Sequence, residues 1–473
     1  LTTPCPMETS MKLPACFKAY DIRGRVPDEL NEELAFGIGQ ALVQLLRHDR
    51  NDGLGEGERK TGDRIVVAVG KDVRLTSESI SAALMDGITT AGADVIDIGL
   101  CGTEMVYFAV FSKGLDGGVM VTASHNPMDY NGMKLVRVGA RPISGDTGLH
   151  ELARAAVAGG FQPSAQPGQV TKSDILEDYV AHLKQYYDPA ILKPLKIVFD
   201  AGNGCAGPVV RRILQDLPFE AIETRFEPDG TFPDGIPNPL LPENRDFAAK
   251  AVIKHKADLG VAFDGDFDRC FFFDETGAFI EGYYIVGLLA EQALKKAPGS
   301  KIIHDPRTMW NTVEVVKRNG GQPVLSKTGH AFIKERMRQE DAYYGGEISA
   351  HHYFRQFNYC DSGMIPWLLI AQSVSKAPLS SSVNAMIAAY PCSGEINSTV
   401  ADIAATMDKI AKVLVPQAIS IDRTDGLSLE FEKWRMNLRA SNTEPLLRLN
   451  VETRADPDLL AQKTEEVLAL IRD

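Results

Sequence analysis

Residues 119–134 read VMVTASHNPMDYNGMK. Val119 to Thr122 is a short, largely β-branched run, the composition of a buried strand. It delivers Ser124 into a polar loop with His125, Asn126 and Pro127, and Lys134 follows ten residues after the serine. A serine in a turn after a strand is well placed to be a nucleophile or a phosphate carrier. Serine is equally favoured as a helix N-cap or turn residue. The hydrolase pattern GxSxG is absent around it. His125 is a neighbour in sequence, which does not make it a triad partner, because triads are defined by spatial geometry.

The same kind of segment recurs. IVVAVG (65–70), KIVFDAGNG (196–204) and KIIHDP (301–306) are each followed by a helix-like stretch. A further strand comes next: VIDIG (95–99), AIETRFEP (221–228) and PVLSKTG (323–329). Each unit then reaches an apolar strand ending in a polar loop: TASHNP, DGDFDR (264–269) and GEISAHH (346–352). Strands alternating with helix-length segments indicate α/β units with mixed sheets. Ligand loops at the C-terminal ends of strands suit such sheets. Three copies with three different polar loops predict three domains facing a shared cleft. From about residue 386 the pattern changes to a small α+β domain: ATMDKIAKVLV as a helix, LSLEFEKWRMNLRA as hairpin strands, and a final helix over 456–472. The stretches 156–172 and 375–382 read as linkers, and 50–63 as a surface loop.

A chain of 473 residues exceeds one hydrophobic core, so several domains are expected. With 44% hydrophobic and 24% charged residues it reads as a soluble globular protein. The net charge of −13 argues against a nucleic-acid or anionic-membrane surface. Seven scattered cysteines without a CxxC pair fit reduced, buried thiols of a cytosolic protein. The apolar runs YYIVGLLA (283–290) and MIPWLLIA (364–371) are too short to span a bilayer. No signal peptide is visible near the start. The chain begins at Leu1, which reads as a processed, truncated or engineered start, and the fold is expected to begin near Met11.

Five further segments bear on the chemistry. Asp264, Asp266 and Asp268 alternate along DGDFDR, so their carboxylates can converge on one hard cation such as Mg²⁺. Gly265 is expected to permit the tight turn, and Arg269 adds a cation; the other reading is a solvated acidic turn. RASNTEP (439–445) offers a guanidinium, hydroxyls and an amide, enough to grip a phosphate, or else it is an ordinary polar turn. GEISAHH presents Glu347 and Ser349, which suit sugar hydroxyls. Its adjacent histidines point apart on a strand, which disfavours a metal there. KTGH (327–330) places His330 between a strand and a helix, as a proton shuttle or a structural histidine. YDIRG (20–24) holds Arg23 just before a glycine, a surface turn unless it serves a site.

The ordered set YDIRG, TASHNPMDYNGMK, DGDFDR, KTGH, GEISAHHYF and RASNTEP resembles the α-D-phosphohexomutase family from residue 20 to 445. The resemblance implies three similar mixed-sheet α/β domains plus a smaller C-terminal α+β domain around one central cleft. It implies divisions at 1–160 with the serine loop, 161–278 with the metal loop, 279–385 with the sugar loop and 386–473 with the phosphate loop. Ser124 would be a phosphoserine, with Asp264, Asp266 and Asp268 binding Mg²⁺ together with its oxygen. Lys134 and His330 would be acid/base groups, Arg23 and Arg269 would sit against the phosphoserine region, and His125 beside the serine. Tyr20, Arg307, Glu347 and Ser349 would bind substrate, and Arg439, Ser441, Asn442 and Thr443 the phosphate that is not reacting.

GEISAHHYF is most similar to the phosphomannomutase branch, including members that accept glucose phosphates. At 305–307 the chain has DPR where some dual-specificity members carry DVK. The implied reaction is mannose 6-phosphate to mannose 1-phosphate through a 1,6-bisphosphate, with a role in GDP-mannose and polysaccharide synthesis. Glucose 1,6-bisphosphate or mannose 1,6-bisphosphate would serve as activator, in a cytoplasmic monomer. A dual-specificity mutase is the alternative. A Mg²⁺-dependent sugar phosphatase and a sugar-phosphate sensor are the competing classes.

Overall fold

The computed structural model describes residues 13–440 and 446–472. The described chain divides into two compact units, residues 13–99 with 109–173 and residues 100–108 with 174–472.

In the first unit the strand Val66–Lys71 lies beside Asp94–Leu100 on one side and parallel to Gly117–Val121 on the other. Tyr130–Arg137 returns antiparallel beside Gly117–Val121, and Ile22–Arg25 adds antiparallel to it. Gly117–Val121 is buried along its whole length, which explains its unbroken apolar character. Helices Glu32–Asn51 and Ser77–Thr90 cross at close range. A Cβ on Gly39 would come within 2.4 Å of the Leu84 carbonyl oxygen, and one on Gly87 within 2.1 Å of that of Phe36. Asn31 caps the first of these helices by accepting from the Leu34 N–H at 3.0 Å. The stretch 156–172 is only partly a linker. It ends in the strand Val170–Lys172, which pairs parallel to Asp94–Leu100 at the sheet edge.

Two sheets of the second unit repeat that connectivity. In one, Lys196–Asp200 is parallel to both Glu220–Thr224 and Leu259–Phe263, and Cys270–Phe273 returns antiparallel. In the other, Lys301–His304 is parallel to both Gln322–Leu325 and Tyr344–Gly346, and His352–Phe354 returns antiparallel. The internal repeat read from the sequence is therefore a repeat of topology. The third strand of each copy ends where Thr122, Asp264 or Glu347 begins a polar loop.

A fourth sheet is antiparallel throughout, in the order Ile396–Thr399, Leu446–Thr453, Trp434–Ala440, Leu427–Glu430, Ser420–Asp422. Helices Ile403–Leu414 and Pro457–Arg472 supply its other apolar layer through Ile410, Val467, Leu468 and Ile471. The stretch SKAPLSSS is not wholly loop either, because helix Leu379–Ala389 begins inside it. Pro378 stands at the N-cap of that helix, and the first-turn Ser380 N–H donates to Glu275 at 3.3 Å. Cys16, Cys101, Cys205, Cys270 and Cys360 are buried. Among the described residues, no helix is long and apolar enough to cross a membrane.

Candidate functional site

In the first unit, Ser124 follows the strand Gly117–Val121 and adopts φ 48°, in the left-handed region. For a residue with a Cβ this conformation costs about 1–3 kcal/mol and persists only where surrounding contacts impose it. Those contacts are present. The Ser124 N–H donates to Thr122 Oγ1 at 2.8 Å, and Ser124 Oγ lies 3.1 Å from His125 Nδ1. The buried guanidinium of Arg74 donates to four loop carbonyls: Ser124 at 3.0 Å, Asn126 at 2.6 Å, Pro127 at 2.7 Å and Tyr130 at 2.9 Å. Asp72 holds Arg74 in turn, accepting its backbone N–H at 3.0 Å. Burial pushes the Asp72 carboxyl up, against the pull of Arg74 and Ser77.

Arg23 donates to the Ala123 carbonyl at 3.1 Å and to Asn126 Oδ1 at 2.5 Å, and pairs with Asp21 at 2.7 Å. YDIRG is thus no free surface turn: it braces the serine loop, with Tyr20 in the bend before the strand Ile22–Arg25. Lys134 is buried on Tyr130–Arg137, opposite Met120. Arg74 was not singled out from the sequence. It lies in a KDVR stretch fifty residues from the loop it organises, and no motif marks it.

In the second unit, Asp264, Asp266 and Asp268 each bring a ligand atom within 4.8 Å of the others, and all three are buried. Three buried carboxylates so close together need positive charge. Arg269 supplies one, donating to Asp264 Oδ2 at 2.8 and 2.6 Å. Burial opposes the Arg269 charge, but Asp264 and Asp268 outweigh it and hold its pKa above the ordinary value. The all-oxygen donor set fits a hard divalent cation. The left-handed residue of this turn is not Gly265 but Phe267, at φ 43°. The fully buried Phe267 ring packs where a Cβ on Gly102 would stand, 2.3 Å away, and that packing compensates the backbone strain. Thr103 donates its hydroxyl to Asp266 Oδ2 and its N–H to the Asp266 carbonyl at 3.1 Å.

The GEISAHH and KTGH loops are joined through Glu347, whose carboxylate accepts from the Gly329 N–H at 2.9 Å and from Tyr353 Oη at 2.5 Å. His351 Nδ1 lies 3.1 Å from Glu347 Oε2, and its Nε2 lies 3.7 Å from Asp268 Oδ1. Burial works against charge on both partners, yet their mutual contact prevails. The Glu347 carboxyl is drawn down to about 2. The His351 imidazolium is held up to about 9 against burial, by Asp268 first and then by Glu347. His352 points away, to Tyr344 Oη at 2.7 Å, and burial pushes it down to about 3. His330 opens helix His330–Glu340, its ring centroid 6.4 Å from that of His351.

Asp268, His351 and Asp361 also cluster within 4.8 Å. The Lys334 ammonium, buried 2.7 Å from Asp361, already supplies a cation there. Arg307 donates to Asp305 at 2.8 Å and to Ser349 Oγ at 3.2 Å, and Arg439 is buried at the end of Trp434–Ala440. Ser441, Asn442 and Thr443 lie outside the described residues.

Four family models match in order. The phosphoglucomutase/phosphomannomutase alpha/beta/alpha domains I, II and III match residues 14–158, 177–277 and 281–390, and the C-terminal domain of the same family matches 395–470. A phosphomannomutase of Salmonella typhimurium is 58% identical over 96% of this chain and 98% of its own. A protein of Xanthomonas campestris pv. campestris named for phosphohexose mutases is 57% identical over 98% of this chain and 100% of its own. A crystal structure of a phosphoglucomutase/phosphomannomutase family protein from Burkholderia thailandensis is similar at a TM-score of 0.84 and 31% identity, covering 98% of each chain. With four consecutive domains matched and relatives aligned nearly end to end, the chain belongs to the phosphoglucomutase/phosphomannomutase family.

Proposed function

We propose that this enzyme is a phosphohexomutase that interconverts mannose 6-phosphate and mannose 1-phosphate. The observation that carries the reading is the near full-length likeness to proteins named phosphomannomutase, 58% identical in the Salmonella case. Ser124 carries the phosphoryl group, which it donates to the free hydroxyl of the bound sugar phosphate. The product is a 1,6-bisphosphate. After a half-turn of the sugar, the other phosphate returns to the Ser124 oxygen. Lys134 and His330 move the hydroxyl proton in the two directions. His125 and Arg23 serve the serine loop, and Arg269 balances Asp264.

Asp264, Asp266 and Asp268 would hold Mg²⁺, which supplies charge neutralisation at phosphate oxygens. In this reading the Ser124 oxygen completes the ligand set. Glu347 and Ser349 hydrogen-bond sugar hydroxyls, Arg307 and Tyr20 contact substrate, and Arg439 with Ser441, Asn442 and Thr443 grips the remote phosphate. The serine, metal, sugar and phosphate loops would then belong to four successive domains divided near residues 160, 278 and 385. A bisphosphorylated hexose primes unphosphorylated Ser124, and the enzyme works in the cytoplasm.

Dual specificity for glucose phosphates is the second reading, favoured by the Xanthomonas relative, which is named for phosphohexose mutases. ³¹P NMR of mannose 1-phosphate and glucose 1-phosphate, with Mg²⁺ and a trace of glucose 1,6-bisphosphate, tests both. Much faster conversion of the mannose ester is expected. Comparable rates would establish dual specificity, and release of inorganic phosphate without isomerisation would overturn the mutase reading. Loss of turnover in Ser124→Ala is expected; a retained rate would remove the phosphoserine.

A further inference from the structure

Glu395 lies just before the strand Ile396–Thr399 and meets three arginines. Arg307 Nη1 is 3.3 Å from its Oε2, Arg439 Nη2 is 3.2 Å from the same oxygen, and Arg448 Nη1 is 3.3 Å from its Oε1. Arg439 and Arg448 face each other across the antiparallel pair Trp434–Ala440 and Leu446–Thr453. Like charges directly opposite on a sheet repel, and the Glu395 carboxylate bridges them. Burial works against the Glu395 charge, but Arg307, Arg448 and Arg439 outweigh it and keep its carboxyl below the ordinary range. Burial and the neighbouring Arg307 lower the pKa of Arg439.

Arg307 also pairs with Asp305 at 2.8 Å and with Glu347 at 3.6 Å. The Nε atoms of Arg307 and Arg439 are buried with no hydrogen-bond partner among the described residues, so donor capacity remains for a ligand with more oxygens than a carboxylate.

We propose that Glu395 is an internal anion that occupies this arginine cluster between phosphate engagements and competes with the sugar phosphate for it. This rests on the reading of Arg439 as a phosphate ligand. The proposed reaction needs the bisphosphate to leave the grip, turn and be gripped by its other end. A carboxylate ready to replace the departing phosphate spares the arginines an uncompensated interval and makes release easier. Glu395 is therefore a positioning residue for turnover, one that trades affinity for exchange.

Calorimetric titration with mannose 1-phosphate on the Ser124→Ala background, where no turnover interferes, tests this. Glu395→Gln keeps the shape and removes the charge. It is expected to tighten binding about 5-fold or more. In the Ser124 enzyme the same substitution is expected to lower KM and kcat together, because release slows. Unchanged or weaker binding in Glu395→Gln would overturn the proposal and leave Glu395 a structural brace. If that variant does not fold, Glu395→Asp decides, since it withdraws the carboxylate by one methylene. Tighter binding there supports competition, and unchanged or weaker binding overturns it. Arg439→Ala tests the underlying reading separately: affinity should fall about 10-fold or more, and an unchanged value would place the phosphate elsewhere whatever Glu395 does.

Discussion

Thr103 grips Asp266 at two points, its hydroxyl on the carboxylate and its N–H on the carbonyl oxygen at 3.1 Å. Together they fix both the side chain and the backbone of the middle aspartate in the acidic turn. Removing such a supporting hydrogen bond typically costs 10–100-fold in metal affinity. Thr103→Val should raise the Mg²⁺ concentration for half-maximal turnover about 10-fold. Magnesium titration of the mutase rate measures this, and an unshifted midpoint would show that Asp266 needs no such support.

Chelation is expected to stop turnover without unfolding the protein, because Arg269 pairs with Asp264 at 2.6 Å and supplies the acidic turn with a positive charge of its own. Excess EDTA should abolish isomerisation, and added Mg²⁺ should restore it. Asp266→Asn should need more Mg²⁺ than the parent to do so. Activity that survives EDTA dialysis would argue against the carboxylates as ligands.

The serine loop is expected to fail when Arg74 is removed. Arg74→Gln leaves the buried Asp72 without its cation and four carbonyls without their charged donor. Breaking a buried pair in this way costs about 3–5 kcal/mol. The melting temperature should drop by several degrees, and the phosphorylation of Ser124 by glucose 1,6-bisphosphate should slow. Arg74→Lys should rescue little, since an ammonium cannot reproduce a planar fork of donors.

A pH dependence of stability is expected from Glu104. Its side chain is buried, accepts from the Met364 N–H at 3.1 Å, and is pushed from 4.5 up to about 8, chiefly by burial. Because the folded pKa lies above the unfolded one, the folded protein holds a proton that the unfolded chain releases between those values. The stabilisation is complete below 4.5 and is lost as pH rises through about 8. The melting temperature of the parent should therefore fall relative to Glu104→Gln across that window. A constant difference between the two would mean that Glu104 ionises like an exposed carboxyl.

Much of the site was legible because its parts are short and local. DGDFDR sets three carboxylates at alternate positions of one loop, and GEISAHH sets Glu347 and Ser349 two residues apart. The placement of these loops could also be read, because an apolar run ending in a polar turn marks the end of a buried strand. Other features were out of reach. Arg74 and Glu395 sit in stretches with no motif, and their partners are tens of residues away in sequence. The left-handed position of the acidic turn falls at Phe267, a residue poor in such conformations that its buried ring holds there.

By itself, then, the sequence determined the repeated α/β connectivity, the antiparallel last sheet and the identity of the reactive loops. Those follow from the period of apolar residues and from side-chain chemistry, both local properties. Tertiary structure alone decided which distant residues hold those loops in working shape. Arg74 behind Ser124, Thr103 behind Asp266, and Glu395 among Arg307, Arg439 and Arg448 are hydrogen-bond and charge pairings set by three-dimensional packing, where burial makes an unmatched polar group costly.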